Sequence, residues 1–279
     1  MNLGALGTIV VATIAEARRR RILLATLGFG FLFVLMFTIG LTAARREMIR
    51  EGNNPIELPM MLTVLTMAGM YAVNFLTVIT AALLPVDTLS GEIASGVMQT
   101  VAAKPIRRST IVLGKWIAHA IVLVGYVLLV GGGLLLAARI VSGISPPNVH
   151  IGLALLMLEG LIVLTVSIAA GTRFSTIATG VTCVGLYGLA FLGGWFEQIG
   201  SFAGVASAST IGTITSLIFP SESMWQLAAN RMQPAIMRDL QMTPFSPVSV
   251  PSPAMVAWAI GYVVVLLVVA VRSFSRRPL

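Results

Sequence analysis

Few residues in this chain could do chemistry, and most of them stand in two places. Glu159 sits inside LALLMLEGLIVLTVSIAA, a run with no other charge. A carboxyl in such a setting either meets a substrate or a proton in a cavity, or is held as a hydrogen-bonded acid between helices. Asn74 and His119, each inside another apolar run, are its candidate partners, and these three are the candidate cavity residues. The second place is DTLSGEIASGVMQTVAAKPIRRSTIVLGKW, from Asp87 to Trp116, where acids, bases, glycines and a proline interrupt an otherwise apolar chain.

Several chemistries are excluded by what is missing. An ATP site of the phosphate-cradling kind needs GxxxxGK[ST]. The only Gly-Lys pair is Gly114-Lys115, followed by Trp116, with Ser109 where the first glycine would stand. No activated serine assembles with a base and an orienting acid, and Glu159 has no evident second acid in the apolar runs. Met60, Met61, Met67 and Met70 would suit soft Cu(I). Yet Met67 and Met70 are one turn apart, which fits a packing stripe, and beside them stand only His119, His150 and Cys183. Packing is the reading adopted, with no metal and no catalytic residue. The single cysteine leaves no internal disulfide.

The elements that would position these residues are membrane helices. Of 279 residues 57% are hydrophobic and only 10% charged, with a mean hydropathy of +0.96. Soluble domains carry about a quarter charged residues, so this surface is not meant for water. Spans are expected at about 22–43, 58–85, 110–138, 150–172, 175–197 and 254–271, and alternating barrel segments are absent. The expected fold is therefore an all-α polytopic membrane protein, one transmembrane domain over 1–279 with six spans.

The N-terminal residues carry an apolar stretch and Ala15-Glu16-Ala17, which imitates a cleavage site, but the bases Arg18 to Arg21 follow the apolar part instead of preceding it. Residues 1–21 read as an uncleaved interfacial elbow helix with Leu3, Leu6, Val10 and Ile14 towards lipid. With six spans and the N-terminus inside, twelve bases fall on the cytoplasmic side and six on the other, which places both termini in the cytoplasm. The net charge of +8 then reflects topology and lipid headgroups, with no nucleic acid as partner. Residues 198–253 form an outer loop: 198–221 dips into or lies at the outer leaflet, Glu197 marks the outer end of the fifth span, and 222–253 is a folded loop. Gly131, Gly132 and Gly133, with Gly180, Gly185 and Gly188, are expected to permit close helix contact.

On this topology 87–109 is cytoplasmic. Asp87 would cap a helix over about 88–103, loosened by Gly91 and Gly96 and stopped by Pro105, and Ser109 would cap the third span. Glu92 and the bases Lys104, Arg107 and Arg108 would then face the cytosol, although the bases alone also serve to anchor the span. The succession of an acid, Gly-Val-Met-Gln at 96–99, Lys-Pro-Ile-Arg-Arg at 104–108 and Ile-Val-Leu-Gly-Lys at 111–115 resembles the ABC-2 type transporter permeases. The nearest likeness is to the branch that includes the permease of nitrous-oxide-reductase copper maturation.

The resemblance implies a coupling helix that docks on a separate ATPase, through Asp87, Glu92, Gly96, Gln99, Lys104, Pro105, Arg107 and Arg108. Many relatives carry Gly-Thr-x-Glu where this chain has Gly96-Val97-Met98-Gln99, so a carboxylate is missing at Gln99. It implies two ATPase subunits holding ATP and magnesium, no cofactor in this chain, and a second permease chain, identical or paralogous. The expected protein is a non-catalytic permease subunit of an exporter in a prokaryotic cytoplasmic membrane. The alternatives are a proton-coupled carrier working through Glu159, and a non-transporting membrane anchor.

Overall fold

The computed structural model describes residues 3–19, 21–52, 57–102, 106–203, 205–239 and 250–277, and among them every regular element is a helix. Six helices are long and apolar enough to cross a bilayer: α2 (Arg21–Arg50), α3 (Glu57–Leu83), α6 (Arg108–Ser142), α7 (Val149–Gly171), α8 (Thr176–Ala203) and α12 (Pro253–Arg276). α1 (Leu3–Arg19) precedes them. α4 (Ser90–Ala94) and α5 (Val97–Ala102) lie between α3 and α6, and α9 (Ala206–Ile218), α10 (Ser221–Met232) and α11 (Ala235–Asp239) lie between α8 and α12. The expected spans thus stand, several of them longer than their uncharged cores.

Burial separates the spans by role. In α7, 67% of the most apolar window is buried by protein, against 11% in α2 and 17% in α12. A helix apolar all round is one surrounded by other helices, and α7 packs against α3, α6, α8, α10 and α12. α2 and α12 instead expose Phe29, Phe31, Val265 and Val269, a surface suited to acyl chains.

Close approach falls on glycines other than those expected. A Cβ on Gly69 would lie 2.5 Å from the Phe37 ring, one on Gly152 would strike Met232, and one on Gly160 would meet Leu123 at 3.0 Å. Of the six glycines expected at contacts, Gly131 alone is tight, 3.1 Å from Leu153. Gly132, Gly185 and Gly188 have nothing within 4 Å, and Gly133 and Gly180 make ordinary contact. Which helix face meets a neighbour is set by the rotation of the whole helix, and a run of small residues does not reveal it.

Three local expectations also change. α1 lies along α6 with Ile9 seated in the notch at Gly114. Leu6, Val10 and Ile14 are therefore half-buried on the protein side, while Val11 is open; the Leu3 side chain lies outside the described residues. α8 runs past Glu197 to Ala203, and α9 folds back on it, with Gly212 against Glu197 and Gly193 against Thr215. Finally α10, expected within an outer loop, is core. Met224, Trp225, Ala228 and Met232 are buried against the bundle, because Gly152 and Gly194 leave room for the helix to approach.

Candidate functional site

Two polar assemblies stand out. The first hangs at the base-rich end of the bundle. The single helix expected over 88–103 is broken at Ser95-Gly96, where Gly96 adopts φ +76. That left-handed conformation suits glycine and ends the turn. Two short helices result. Leu89, not Asp87, occupies the N-cap position of α4, and no side chain caps it. The Asp87 carboxylate instead lies over Gly91, where any Cβ would collide with it, and accepts a hydrogen bond from Thr176 Oγ1 at 3.1 Å. Thr176 Oγ1 also lies 2.9 Å from Ser90 Oγ, so the start of α8 is tied both to α4 and to the turn before it.

Glu92 does not face outward. Its side chain, 13% exposed, forms an ion pair with Lys115 of α6, itself 8% exposed. Lys115 passes the linkage on, since its carbonyl lies 2.7 Å from His119 Nδ1, and His119 Nε2 lies 3.1 Å from Thr88 Oγ1. His119 is therefore a partner of the α3–α4 junction, and the structure does not bring it to Glu159. α5 is anchored by Met98, which is fully buried in the main core. Burying such a side chain contributes about 1.5–3 kcal/mol.

Arg108 is half-buried and donates to the carbonyls of Phe274, Ser275 and Arg277, closing the end of α12. Ser109 lies inside the first turn of α6, whose N-cap residue is Arg107 and has no side-chain bond. Among its described residues the segment presents outward Ala94, Ser95, Val97, Gln99 and Arg107, with Gly96 half-exposed between them. Lys104 and Pro105 lie outside the described residues.

The second assembly is at the centre. Glu159 is ten residues after the start of α7, roughly 15 Å along its axis. It is fully buried, as is Asn74 of α3. With its nitrogen turned to the carboxyl, the Asn74 amide donates to both Glu159 oxygens, at 3.0 and 2.7 Å. The other end of that amide lies 3.5 Å from the Tyr187 hydroxyl of α8. The approach of α3 is permitted by Gly160, beside which Thr77 packs closely. Here the pairing of Glu159 with Asn74 stands as expected.

A residue that the sequence did not bring forward completes this centre. Glu222, near the start of α10, is buried and within electrostatic reach of Glu159, Tyr71 and Tyr187. Its Oε2 is enclosed without a hydrogen-bond partner, and burial pushes its carboxyl up to about 8. Around the acids runs a band of rings. Tyr71 meets Phe75 and Trp225 edge-on, and Phe75 meets Tyr187 and Phe191. A buried carboxyl in such a setting can meet a cation or a proton. The signal that could have found Glu222 is the helical recurrence of Met224, Ala228 and Met232 behind Pro220, which marks a buried helix instead of a loop.

Among the described residues no three histidines, cysteines or acids gather as a metal site. Met67 and Met70 are core residues, Met61 is 53% exposed, and Cys183 is a buried free thiol. Curated proteins yield no match to the chain. A family model described as "ABC-2 family transporter protein" matches residues 10–279, which takes in all six spans, both polar assemblies and the intervening short helices. A match over nearly the whole length, on a six-span bundle with no nucleotide-binding loop of its own, places the chain in the ABC-2 transporter family.

Proposed function

We propose that the chain is the permease subunit of an ATP-driven exporter in a prokaryotic cytoplasmic membrane, with both termini and the α4–α5 segment in the cytoplasm. Two separate ATPase subunits carry ATP and magnesium, and a second permease chain completes the transporter. The ATPases meet the outward face of α4–α5 at Ser95, Gly96, Val97, Gln99 and Arg107, with Lys104 and Pro105 in the following stretch. Asp87, Glu92 and Arg108 act behind that face, as the ties that carry a push into the bundle.

One observation carries this reading. The α4–α5 segment is joined to α6 through Glu92 and Lys115, to α8 through Asp87 and Thr176, and to the core through Met98. A displacement of the segment thus reaches two spans at once, and a bundle packed in discrete arrangements converts it into an exchange between them. The test is purification of the tagged chain from its host in mild detergent, followed by mass spectrometry. A stoichiometric subunit carrying GxxxxGK[ST] is the expected result. Recovery of the chain without one, under conditions that keep other membrane complexes whole, would sink the assignment.

A second reading has its own observation. Glu159 and Glu222 are buried together among Tyr71, Tyr187 and Trp225, which suits a proton-coupled carrier. Such a carrier works alone in liposomes under a pH gradient, and Glu159→Gln abolishes that activity. In the ATP-driven exporter the same variant retains ATP-dependent transport.

A further inference from the structure

The last turns of α12 carry two adjoining cavities that neither polar assembly uses. On one side a groove of about 420 Å³ runs between α6 and α12, walled by Leu113, Val264, Leu267, Val268 and Val271 and ending at Arg272. Val264 is 55% and Val268 43% exposed, so the groove opens sideways to lipid. From Val264 to Arg272 it follows α12 for roughly 12 Å, from within the bilayer to the base-rich end. On the other side a pocket of about 400 Å³ is lined by Thr172, Arg173, Ser273, Arg276 and Arg277. Arg272 and Ser273 are consecutive, and Arg276 lies one turn beyond Arg272, so the helix joins the two cavities.

The pocket is built for an anion. Arg173 Nε donates to Ser273 Oγ at 2.8 Å, and Arg277 donates to the Thr172 carbonyl, which holds both guanidinium groups at the rim. Among the described residues no carboxylate pairs with Arg173, Arg276 or Arg277. The carbonyl end of α12 would repel an anion, but Arg108 already occupies the carbonyls of Phe274, Ser275 and Arg277. Guanidinium groups favour phosphate through paired N–H donors. An acidic protein partner could meet the arginines from the aqueous side, but it has no way into an apolar groove at bilayer depth. A phospholipid fills both.

We propose that the end of α12 holds an anionic phospholipid, its phosphate on Arg272, Arg276 and the Arg173 rim and an acyl chain in the α6–α12 groove. Basic pockets between spans near the membrane surface are a recurrent setting for such headgroups. The inference rests on the six spans and needs no ATPase, so it stands or falls apart from the transport reading.

The experiment is native mass spectrometry of the full chain in detergent, titrated with phosphatidylglycerol or with phosphatidylcholine of the same acyl chains. Wild type is expected to retain phosphatidylglycerol at least about ten-fold better, the difference that ~1.4 kcal/mol makes. Two variants separate headgroup from chain: Arg272→Gln with Arg276→Gln, both exposed side chains, and Val268→Trp, which fills the groove. Each is expected to lose that preference while its lipid-free melting temperature stays within a few degrees of wild type. Equal retention of the two lipids, or unchanged phosphatidylglycerol binding in either variant, overturns the proposal. So does full competition by millimolar glycerol phosphate, which would assign the pocket to a soluble phosphate.

Discussion

The two polar assemblies solve the same problem in opposite ways. At the base-rich end Glu92 and Lys115 form a charged pair, 13% and 8% exposed, between a short surface helix and a span. At the centre Glu159 is fully enclosed, and a neutral amide from Asn74 meets it instead of a base. The difference follows from the cost of charge. Near the membrane surface a pair keeps part of its hydration, and mutual attraction offsets the rest. At mid-bilayer depth the desolvation of two ions outweighs their attraction unless the geometry is excellent, and an amide donor satisfies a carboxyl more cheaply. The first arrangement ties together elements that meet at an edge. The second holds four helices, α3, α7, α8 and α10, around a buried acid.

The charged pair carries the largest expected effect. Glu92→Gln leaves Lys115 buried without its counter-charge and is expected to cost about 3–5 kcal/mol, seen as a lower midpoint in thermal unfolding of the purified chain. The exchanged pair, Glu92→Lys with Lys115→Glu, should recover most of it. If both variants fall equally, the pair does not hold α4 to α6. A substitution Glu92→Arg places two cations together inside and destabilises the fold, so it cannot serve as a clean probe of docking.

Next in size is the seat of α10. Gly152→Val drives a side chain into Met232 and is expected to cost about 1–3 kcal/mol by overpacking. Met232→Ala in the same chain should return part of that, whereas Met232→Ala alone destabilises. Absence of any rescue would mean that α10 is held by other contacts.

At the centre, Asn74→Leu removes the donor from an enclosed carboxyl, at about 1–3 kcal/mol. Adding Glu159→Leu should then change little further, since the group left unpaired is gone. Additive losses in a double-mutant cycle would deny the Asn74–Glu159 bond.

The last expected effect is one of pH. Glu222 has its carboxyl raised to about 8 by burial, with Glu159, Tyr71 and Tyr187 facing it. In the unfolded chain it ionises near the ordinary glutamate value of 4.5. Below that both states bind the proton and nothing is lost. Between about 4.5 and 8 the unfolded state alone releases it, so stability falls as pH rises, and above 8 the loss is complete. Glu222→Gln should therefore melt at the same temperature as wild type at pH 4 and higher than wild type at pH 9. An equal offset at both values would place its effect in packing.

How much of this was legible differed along the chain. The spans were, because about 20 consecutive apolar residues admit few other fates. Asn74 beside Glu159 was also legible, since polar groups in apolar runs seek one another. His119 was assigned to the same acid on that logic, but the axial position of α6 brings it to Thr88 instead. Arg108 looked like a surface base and is engaged with the carbonyls of α12, 166 residues away in sequence at Phe274. α10 was hidden because most of its apolar residues, Met224, Trp225, Ala228, Ala229 and Met232, have modest hydropathy, and its burial depends on Gly152 and Gly194 lying across from it.

Composition and the length of apolar runs by themselves determined that this chain is a bundle of membrane helices without an ATP loop, because transfer of a helix into lipid depends on its own residues. Which faces meet, which acid has which partner, and that Glu222 lies beside Glu159 were decided only by tertiary structure. Those depend on the rotation and depth of each helix against its neighbours, and between helices in lipid that is settled by shape and by single hydrogen bonds, for which a linear pattern carries no record.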